Sequence, residues 1–392
     1  MNWVFDATTL LWLLPAVFGL GWVASRVDVR QWRRSEQEAP KAYFRGLNFL
    51  LNEQQDQAID AFIEAVQHDP ETSELHFALG NLFRRRGDYD RAVRVHEHLL
   101  ARSDLNQADR HRAQHGLAMD FLKAGLLDRA EAALRKLDDT AYATEARLAL
   151  LAIYERSRDW EQAIQIAKTL ESGEQGSFSA RRSHYHCELA DVALQAGRTE
   201  IATQALEQAI RLTPDSARGY IALSAVRATQ GDNKAALSLL VQLAKRAPAT
   251  LPLIAQRLVE LGHAANDTAE VHQLLAAANQ QQANIDVTLA LSALQPENAL
   301  TLHFSHLERH PSLATIANLI KVQALAQAGQ TAADKTTTNV QNPLIGRAID
   351  QAAAPLTRYR CAACGFEAKK YFWQCPGCQG WETFPPRRVE EL

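Results

Sequence analysis

Cysteine is scarce in this 392-residue chain, and what there is lies mostly at one end. Only Cys187 stands outside the last 32 residues, where Cys361, Cys364, Cys375 and Cys378 form two Cys-x2-Cys pairs with ten residues between them. Four thiolates at this spacing are typical of one tetrahedral metal site. The competing hypothesis is a pair of disulfides, which requires an oxidising compartment.

The chain also lacks a large excess of charge and lacks enzyme motifs. Its formal net charge is −3, and a general nucleic-acid-binding protein needs a strongly basic face. We find no HExxH, no GxSxG and no Gly-rich phosphate loop. Cys187 is predicted to be a small, half-buried side chain. Several histidines lie on predicted helices without a nucleophile beside them: His96, His98, His111, His115, His184 and His186. The sequence therefore predicts a protein that is not an enzyme.

Charged residues are missing from Ala7 to Ser25, and this apolar run is about long enough to cross a bilayer as one helix. No Lys or Arg precedes it, whereas Arg26, Arg30, Arg33 and Arg34 follow, which disfavours a cleaved signal peptide. A buried core helix is the other alternative. The positive-inside rule predicts that the bulk of the chain is cytoplasmic and reduced, which favours a metal over disulfides.

Between its two ends the chain repeats itself. Gly46 and Ala58 are followed 34 residues later by Gly80 and Ala92. The pattern resembles the tetratricopeptide repeat, in which small residues let two helices approach closely. In four units a turn glycine stands five residues before the key alanine: Gly87, Gly125, Gly197 and Gly231. After Pro248 the rhythm weakens, but helical patterns continue to about Gly329.

The predicted fold is all-α: a tetratricopeptide-repeat solenoid with an N-terminal transmembrane helix and a small C-terminal rubredoxin-like metal knuckle. Its predicted segments are an anchor at 1–25, a juxtamembrane linker at 26–38, repeats at 39–330 with the last ones degenerate, a linker at 331–357 with one short helix around 344–353, and a metal-binding domain at 358–392. Stacked repeats form a concave surface suited to holding another polypeptide. Candidate groove residues are Asn81, Arg84, Arg85, His115, Met119 and Lys123. The alternative is that they only solvate an exposed face.

Aromatic residues are concentrated around the four cysteines: Tyr359, Phe366, Tyr371, Phe372, Trp373, Trp381 and Phe384. A module this small cannot fold on its own core, so metal and aromatic rings must share that task. We expect Gly365 and Gly377 to relieve backbone strain in the two cysteine turns. The segment from Tyr359 to Cys378 resembles the knuckles of rubredoxin, with a shorter gap than in electron-carrying rubredoxins.

The order of these parts is similar to that of the lipopolysaccharide assembly protein B family, most firmly at 46–51, 79–84, 128–131 and 359–381. The charged tail from Pro385 to Leu392 departs from the family pattern. The resemblance implies an adaptor in the bacterial inner membrane that acts with the protease FtsH to promote degradation of the deacetylase LpxC, and so regulates lipopolysaccharide synthesis. It also implies one iron or zinc ion on Cys361, Cys364, Cys375 and Cys378.

Two other functions remain open on the sequence. One is a scaffold that gathers lipopolysaccharide synthesis and export proteins without a proteolytic role, and the other is a rubredoxin-type electron-transfer protein. A homo-oligomer is also compatible with the repeats.

Overall fold

The computed structural model describes residues 15, 17–22, 41–68, 72–173, 176–328 and 343–392. Of the predicted anchor, residues 15 and 17–22 are described and helical, whereas the predicted juxtamembrane linker lies outside the described residues. Within the described ranges no helix is long and apolar enough to cross a membrane. The chain divides into two compact units, residues 1–159 and 160–392.

The first unit is built from helices joined by short turns. They are α1 (41–51), α2 (Gln55–His68), α3 (Ser73–Arg86), α4 (Tyr89–Ala101), α5 (Gln107–Lys123), α6 (Leu127–Arg135) and α7 (Ala143–Ser157). Phe62, Leu79 and Phe83 fill its core, and the predicted small residues Ala58 and Ala92 are fully buried in the same cluster. Such small side chains allow the close helix contact that the repeat requires.

The second unit continues the helical series and then carries the cysteine module. Its helices are α8 (Trp160–Ser172), α9 (Ser179–Gln195), α10 (Thr199–Leu212), α11 (Ala217–Thr229), α12 (Asn233–Arg246), α13 (Leu251–Ala265), α14 (Thr268–Gln281), α15 (Ile285–Leu294), α16 (Ala299–Arg309), α17 (Leu313–Ala328) and α18 (Pro343–Ala353). Helices α13 to α17 occupy the region where the 34-residue rhythm weakens. Helix α18 lies in the predicted linker, where Asp350 Oδ1 is 2.8 Å from Lys321 Nζ of α17.

In seven helix pairs of the described chain, from α1–α2 to α13–α14, a residue in the left-handed conformation ends the first helix, five residues before a buried position of the second. The four predicted turn glycines have φ between +72° and +89°. After α3, the Gly87 N–H bonds to Arg84 O and the Asp88 N–H to Phe83 O, which is a Schellman motif. Other turns use a residue with a side chain at the same place, with φ of +57° to +59°: Glu53, Arg158 and Asn266. The repeat geometry therefore persists where no glycine marks it.

The cysteine module contains little regular structure. Strand β1 (Tyr359–Arg360) pairs antiparallel with β2 (Glu367–Ala368), and Gln374 forms an isolated bridge with Trp381. The described residues thus form an all-α repeat array with a small C-terminal module, as the sequence predicts.

Candidate metal centre

The two Cys-x2-Cys turns bring four sulfur atoms together. All four Sγ atoms lie within 4.8 Å of one another, with Cys361 and Cys378 3.8 Å apart and Cys364 and Cys375 3.6 Å apart. A tetrahedral ion about 2.3 Å from each sulfur would hold its ligands about 3.8 Å apart. The sulfur positions therefore fit one four-coordinate ion, and an all-thiolate set accepts iron or zinc.

No disulfide is present among the five cysteines, all of which lie in the described part of the chain. The four terminal cysteines form one cluster of free thiols, which supports the metal alternative. Cys187 is buried in α9, more deeply than predicted, and burial raises the pKa of its thiol to about 12. It packs in a buried cluster with Ala190 and Leu206.

Each cysteine turn is closed by an equivalent backbone hydrogen bond. In the first, the Gly365 N–H donates to Cys361 O over 2.9 Å, and in the second the Gln379 N–H donates to Cys375 O over 2.8 Å. Both donors are left-handed, with φ of +76° at Gly365 and +60° at Gln379. Glycine meets this need in the first turn, whereas Gln379 adopts the strained conformation in the second.

The expectation for Gly377 is wrong. Gly377 is not among the left-handed glycines of the described chain. A Cβ built on it would lie 3.4 Å from Cys364 Sγ and 3.4 Å from Phe366 Cβ. These are ordinary van der Waals distances, so neither backbone strain nor lack of space requires glycine at this position.

The environment of the sulfurs favours binding of a cation. The Thr383 hydroxyl, 3.2 Å from Cys361 Sγ, stabilises the thiolate and lowers the pKa of Cys361 to about 6. At Cys364 the Phe366 N–H also favours the thiolate, but desolvation and the neighbouring cysteines override it and raise the pKa to about 12. Adjacent thiolates repel one another, so full deprotonation of the set is coupled to metal binding.

The module packs on the second unit through an aromatic contact. The Trp381 ring stacks on His184 of α9, with centroids 4.7 Å apart and an interplanar angle of 14°. Trp160 and Tyr185 meet the same indole edge-on, at 6.3 Å and 6.1 Å. The buried face of the module, which includes both Cys361 and Cys375, packs against Leu253 of α13. Metal ligands and repeat helices therefore share one buried contact.

Glu382 adds a polar contact beside Trp381. Its Oε1 is 3.1 Å from His184 Nε2 and accepts a 3.1 Å hydrogen bond from the Ser216 hydroxyl at the start of α11. The contact with His184 lowers the pKa of Glu382 despite its partial burial. Arg218 lies 5.8 Å from the Trp381 ring and donates to Glu188 over 2.7 Å.

The charged tail also docks on the repeats. Arg388 forms a bidentate pair with Asp286 in the first turn of α15, with both N to O distances at 3.0 Å. Glu391 accepts hydrogen bonds at the start of α15, and Glu390 accepts one from the Ala314 N–H at the start of α17. The module and tail thus contact the N-terminal ends of alternate helices, α9, α11, α13, α15 and α17.

The candidate groove residues do not form one open site. Arg84 of α3 donates to Asp120 Oδ1 over 2.7 Å and to Gly116 O over 3.0 Å, and it also bonds Asn81. Asp120 is fully buried, and its other oxygen is 2.5 Å from His96 Nδ1. Asn81 and Arg84 therefore take part in a structural network between α3, α4 and α5.

The remaining groove candidates differ in exposure. His115 stacks on Tyr142 at 4.8 Å, and desolvation lowers its pKa. Met119 is half-buried, while Arg85 and Lys123 are exposed. Neither cation has an acidic side chain within ion-pair distance in the described ranges. Binding by any of the candidates stays a prediction.

Sequence reasoning missed most of the contacts between the module and the repeats. His184 has no local pattern to distinguish it from other helical histidines, and its partners lie about 200 residues away along the chain. The charge of the tail is the available sequence signal for the residues that dock there: Arg388, Glu390 and Glu391.

These features define a tetratricopeptide-repeat protein with a C-terminal rubredoxin-type metal centre. Residues 75–110 and 187–252 match the tetratricopeptide repeat family, and residues 359–386 match the rubredoxin metal binding domain. The chain is 31% identical over 390 residues to lipopolysaccharide assembly protein B of Escherichia coli strain K12, which covers 97% of this chain and 98% of that protein. Its counterpart in Haemophilus influenzae is 26% identical, with 97% and 98% covered. The chain therefore belongs to the lipopolysaccharide assembly protein B family.

Proposed function

We propose that this chain is a membrane-anchored cytoplasmic adaptor that regulates lipopolysaccharide synthesis by promoting degradation of LpxC by the protease FtsH. The observation that carries the proposal is the match, over 97% of the chain, to proteins named lipopolysaccharide assembly protein B. A repeat array supplies a surface for protein partners. The sequence contains no catalytic motif, so the protein acts by bringing partners together.

The uncharged run from Ala7 to Ser25 anchors the adaptor in the inner membrane, with the arginines from Arg26 to Arg34 on the cytoplasmic side. A membrane-bound protease and its adaptor then search for each other in two dimensions. Confinement raises the effective concentration of each for the other, so modest contacts are sufficient.

The client or the protease docks on the face of the first unit that carries Arg85 and Lys123. These exposed cations lie on α3 and α5, which are held side by side by Arg84. Because no described acidic side chain neutralises them, they favour an acidic segment of the partner. Asn81 and Arg84 act indirectly, by keeping α3 and α5 in register.

The metal centre has a structural role in this proposal. Cys361, Cys364, Cys375 and Cys378 hold one iron or zinc ion, which fixes the two cysteine turns. These turns hold Trp381 and Glu382 against α9 and α11. Metal binding therefore maintains the shape of the second unit.

The test is the half-life of LpxC in cells depleted of this protein, with FtsH present, after re-expression of wild type or variants. We expect a lengthened half-life on depletion, full rescue by wild type, and poor rescue by Arg85→Ala/Lys123→Ala. Lys136→Ala is the matched control, since this exposed cation lies at the end of α6 and has no proposed contact. An unchanged half-life on depletion would contradict the adaptor and favour the scaffold.

One observation favours electron transfer as a second candidate: Cys364 and Cys378 are exposed, so the bound ion is close to solvent. An iron-loaded centre of this kind predicts a reversible redox potential and a redox partner. Zinc-substituted protein separates the two functions. An adaptor keeps its activity with a redox-inert ion, whereas an electron carrier loses it.

A further inference from the structure

The last five residues of the chain lie across the N-terminal ends of α15 and α17. Arg388 sets their position, because its guanidinium pairs bidentately with Asp286 at 3.0 Å and lies 4.3 Å from the Tyr359 ring centroid. A planar, bidentate pair of this kind fixes orientation as well as distance. The two glutamates that follow are thereby brought to the helix starts.

Glu391 occupies a preformed carboxylate site. Asn284 Nδ2 and the Ile285 N–H donate to its two oxygens, each over 2.7 Å. The Asn284 side chain is oriented by its own capping role, since its Oδ1 accepts from the N–H groups of Asp286 and Val287. With Asn284 only 6% exposed, its amide NH2 is held in place and aimed at the tail. Without a carboxylate there, buried donors would lose their partners.

Glu390 makes a longer hydrogen bond to the helix start than Glu391 does. One of its oxygens accepts from the Ala314 N–H over 3.4 Å, and the other is buried without a hydrogen bond. Burial raises the pKa of Glu390 and also that of Glu391, so the site does not fully offset the loss of water around the two charges. The tail is therefore bound at a cost in desolvation. The two glutamates contact the Asn284 side chain and the first-turn N–H groups of Ile285 and Ala314, which have no partner within a helix, so release of the tail breaks no hydrogen bond inside α15 or α17.

We propose that the starts of α15 and α17, centred on Asn284, form a receptor for an acidic peptide segment that the chain fills with its own C-terminus. A protein partner with two adjacent carboxylates occupies the receptor when the tail leaves. The tail itself is the evidence for the ligand chemistry, since its Glu390–Glu391 pair already uses both helix ends. Leu392 is 62% exposed and contributes little to the fit.

A tethered tail competes strongly with any partner. Short tethers give effective concentrations on the order of millimolar, so a free peptide of similar affinity is excluded while the tail is bound. Release of the tail is therefore the step that opens the receptor. This inference concerns a different surface from Arg85 and Lys123, and it does not depend on the proteolytic role.

The experiment uses a labelled peptide of residues 385–392 and the otherwise complete chain truncated after Pro386, with binding followed by fluorescence anisotropy. We expect the truncated protein to bind the peptide with a Kd below about 0.1 mM, and the full-length protein to bind it at least about tenfold more weakly. A peptide carrying Glu390→Gln and Glu391→Gln should bind the truncated protein at least about tenfold more weakly than the unmodified peptide does. Asn284→Asp in the truncated protein should abolish binding, because it keeps the capping oxygen but replaces the donor with a like charge.

Two results would overturn the proposal: no binding by a truncated protein with normal metal content and helical circular dichroism, or equal binding by truncated and full-length proteins. If the truncated chain does not fold, the full-length Glu390→Gln/Glu391→Gln variant supplies the test. Amide exchange at Ile285 and Ala314 should rise at least about tenfold, whereas Glu367→Gln, which loses only a pair with Arg360 and Arg358 inside the module, should change neither amide. Unchanged exchange in the double variant would also overturn the proposal.

Discussion

Trp381 of the metal module lies flat against His184 of α9, with ring centroids 4.7 Å apart and planes 14° from parallel. The residue that follows, Glu382, reaches the same imidazole and the start of α11. Since Thr383 contacts Cys361 Sγ at 3.2 Å, consecutive residues link the metal ligands to the repeats. A disturbance of the sulfur cluster is therefore expected to reach α9 directly.

Trp381→Ala should loosen the contact between the module and α9 while leaving the metal bound. Truncating a buried tryptophan costs about 3–5 kcal/mol, and Trp381 is half-buried, so we expect a local loss of about 2 kcal/mol. Hydrogen exchange of the amides in the first half of α9 measures it, with an expected rise of about thirtyfold. Metal content, measured by elemental analysis, should not change.

Phe372→Ala is the control for Trp381→Ala. Phe372 is also an aromatic residue of the module and is 38% exposed. Its ring contacts Phe384 inside the module. Its truncation should leave exchange in α9 at the wild-type rate. Equal exchange in wild type and Trp381→Ala would show that the stacked pair does not hold the module in place.

The second unit should lose stability in mild acid because of His306 in α16. Burial, aided by His310, His303 and Arg309, lowers the pKa of His306 to about 4, from the ordinary 6.5. As pH falls below 6.5, His306 becomes protonated in the unfolded chain but stays neutral in the folded chain. The free energy of unfolding therefore falls. The loss is about 1 kcal/mol between pH 7.5 and pH 5.5.

Thermal unfolding from pH 7.5 to pH 5.5 tests this effect. His306→Gln should remove about 1 kcal/mol of the pH dependence, even if the variant is less stable at every pH. Phe304→Ala is the matched control, because this exposed residue of α16 carries no titratable group and its removal should keep the wild-type slope. Identical slopes in wild type and His306→Gln would refute the assignment to His306.

Local patterns in the sequence predict the helical repeats well. A left-handed turn and a close helix contact each need particular residues at fixed spacing, so Gly87 and Ala92 reveal a repeat without any long-range information. Glu53, Arg158 and Asn266 take the same left-handed place without glycine, so the glycine signal is absent from their units.

The contact between module and repeats was beyond prediction for a different reason. The Ser216 to Glu382 hydrogen bond joins residues 166 positions apart, and the Arg388 to Asp286 pair joins residues 102 apart. No periodicity encodes such pairs, because each depends on the assembled surface of several repeats. The four metal ligands were predictable because their spacing within each turn is itself the chemical requirement.

Arg84 and Arg85 are adjacent, but their substitution by alanine should change the stability of the first unit by very different amounts. Arg84→Ala leaves the buried Asp120 carboxylate with only His96 beside it, and breaking a buried pair is costly. Because Arg84 is 21% exposed, we expect a loss of about 2–3 kcal/mol in the first unit. Arg85→Ala removes an exposed side chain and should change stability by less than about 0.5 kcal/mol.

Amide exchange across α3 to α5 distinguishes these two substitutions. If both variants exchange like wild type, the network around Asp120 does not support the first unit as described. The comparison also decides how partner assays are interpreted. A defect in Arg84→Ala alone reflects altered helix packing, whereas a defect in Arg85→Ala with normal exchange identifies a contact with the partner.

Cys361→Ser should release the metal and loosen the module without unfolding the repeats. The helices of the second unit have their own buried cores, built from residues such as Leu206, Leu240 and Leu258, so most helical circular dichroism should remain. The N-terminal ends of α9, α11, α15 and α17 should exchange at least about tenfold faster, because module and tail no longer cover them.

Cys187→Ala is the cysteine control for Cys361→Ser. It removes a buried sulfur from α9 that lies outside the metal cluster, so metal content should stay at the wild-type value even if stability falls. Retention of a full equivalent of metal by Cys361→Ser would contradict the four-sulfur site. Loss of most helical signal in that variant would instead mean that the repeats of the second unit depend on the metal to fold, since their own cores would then be insufficient.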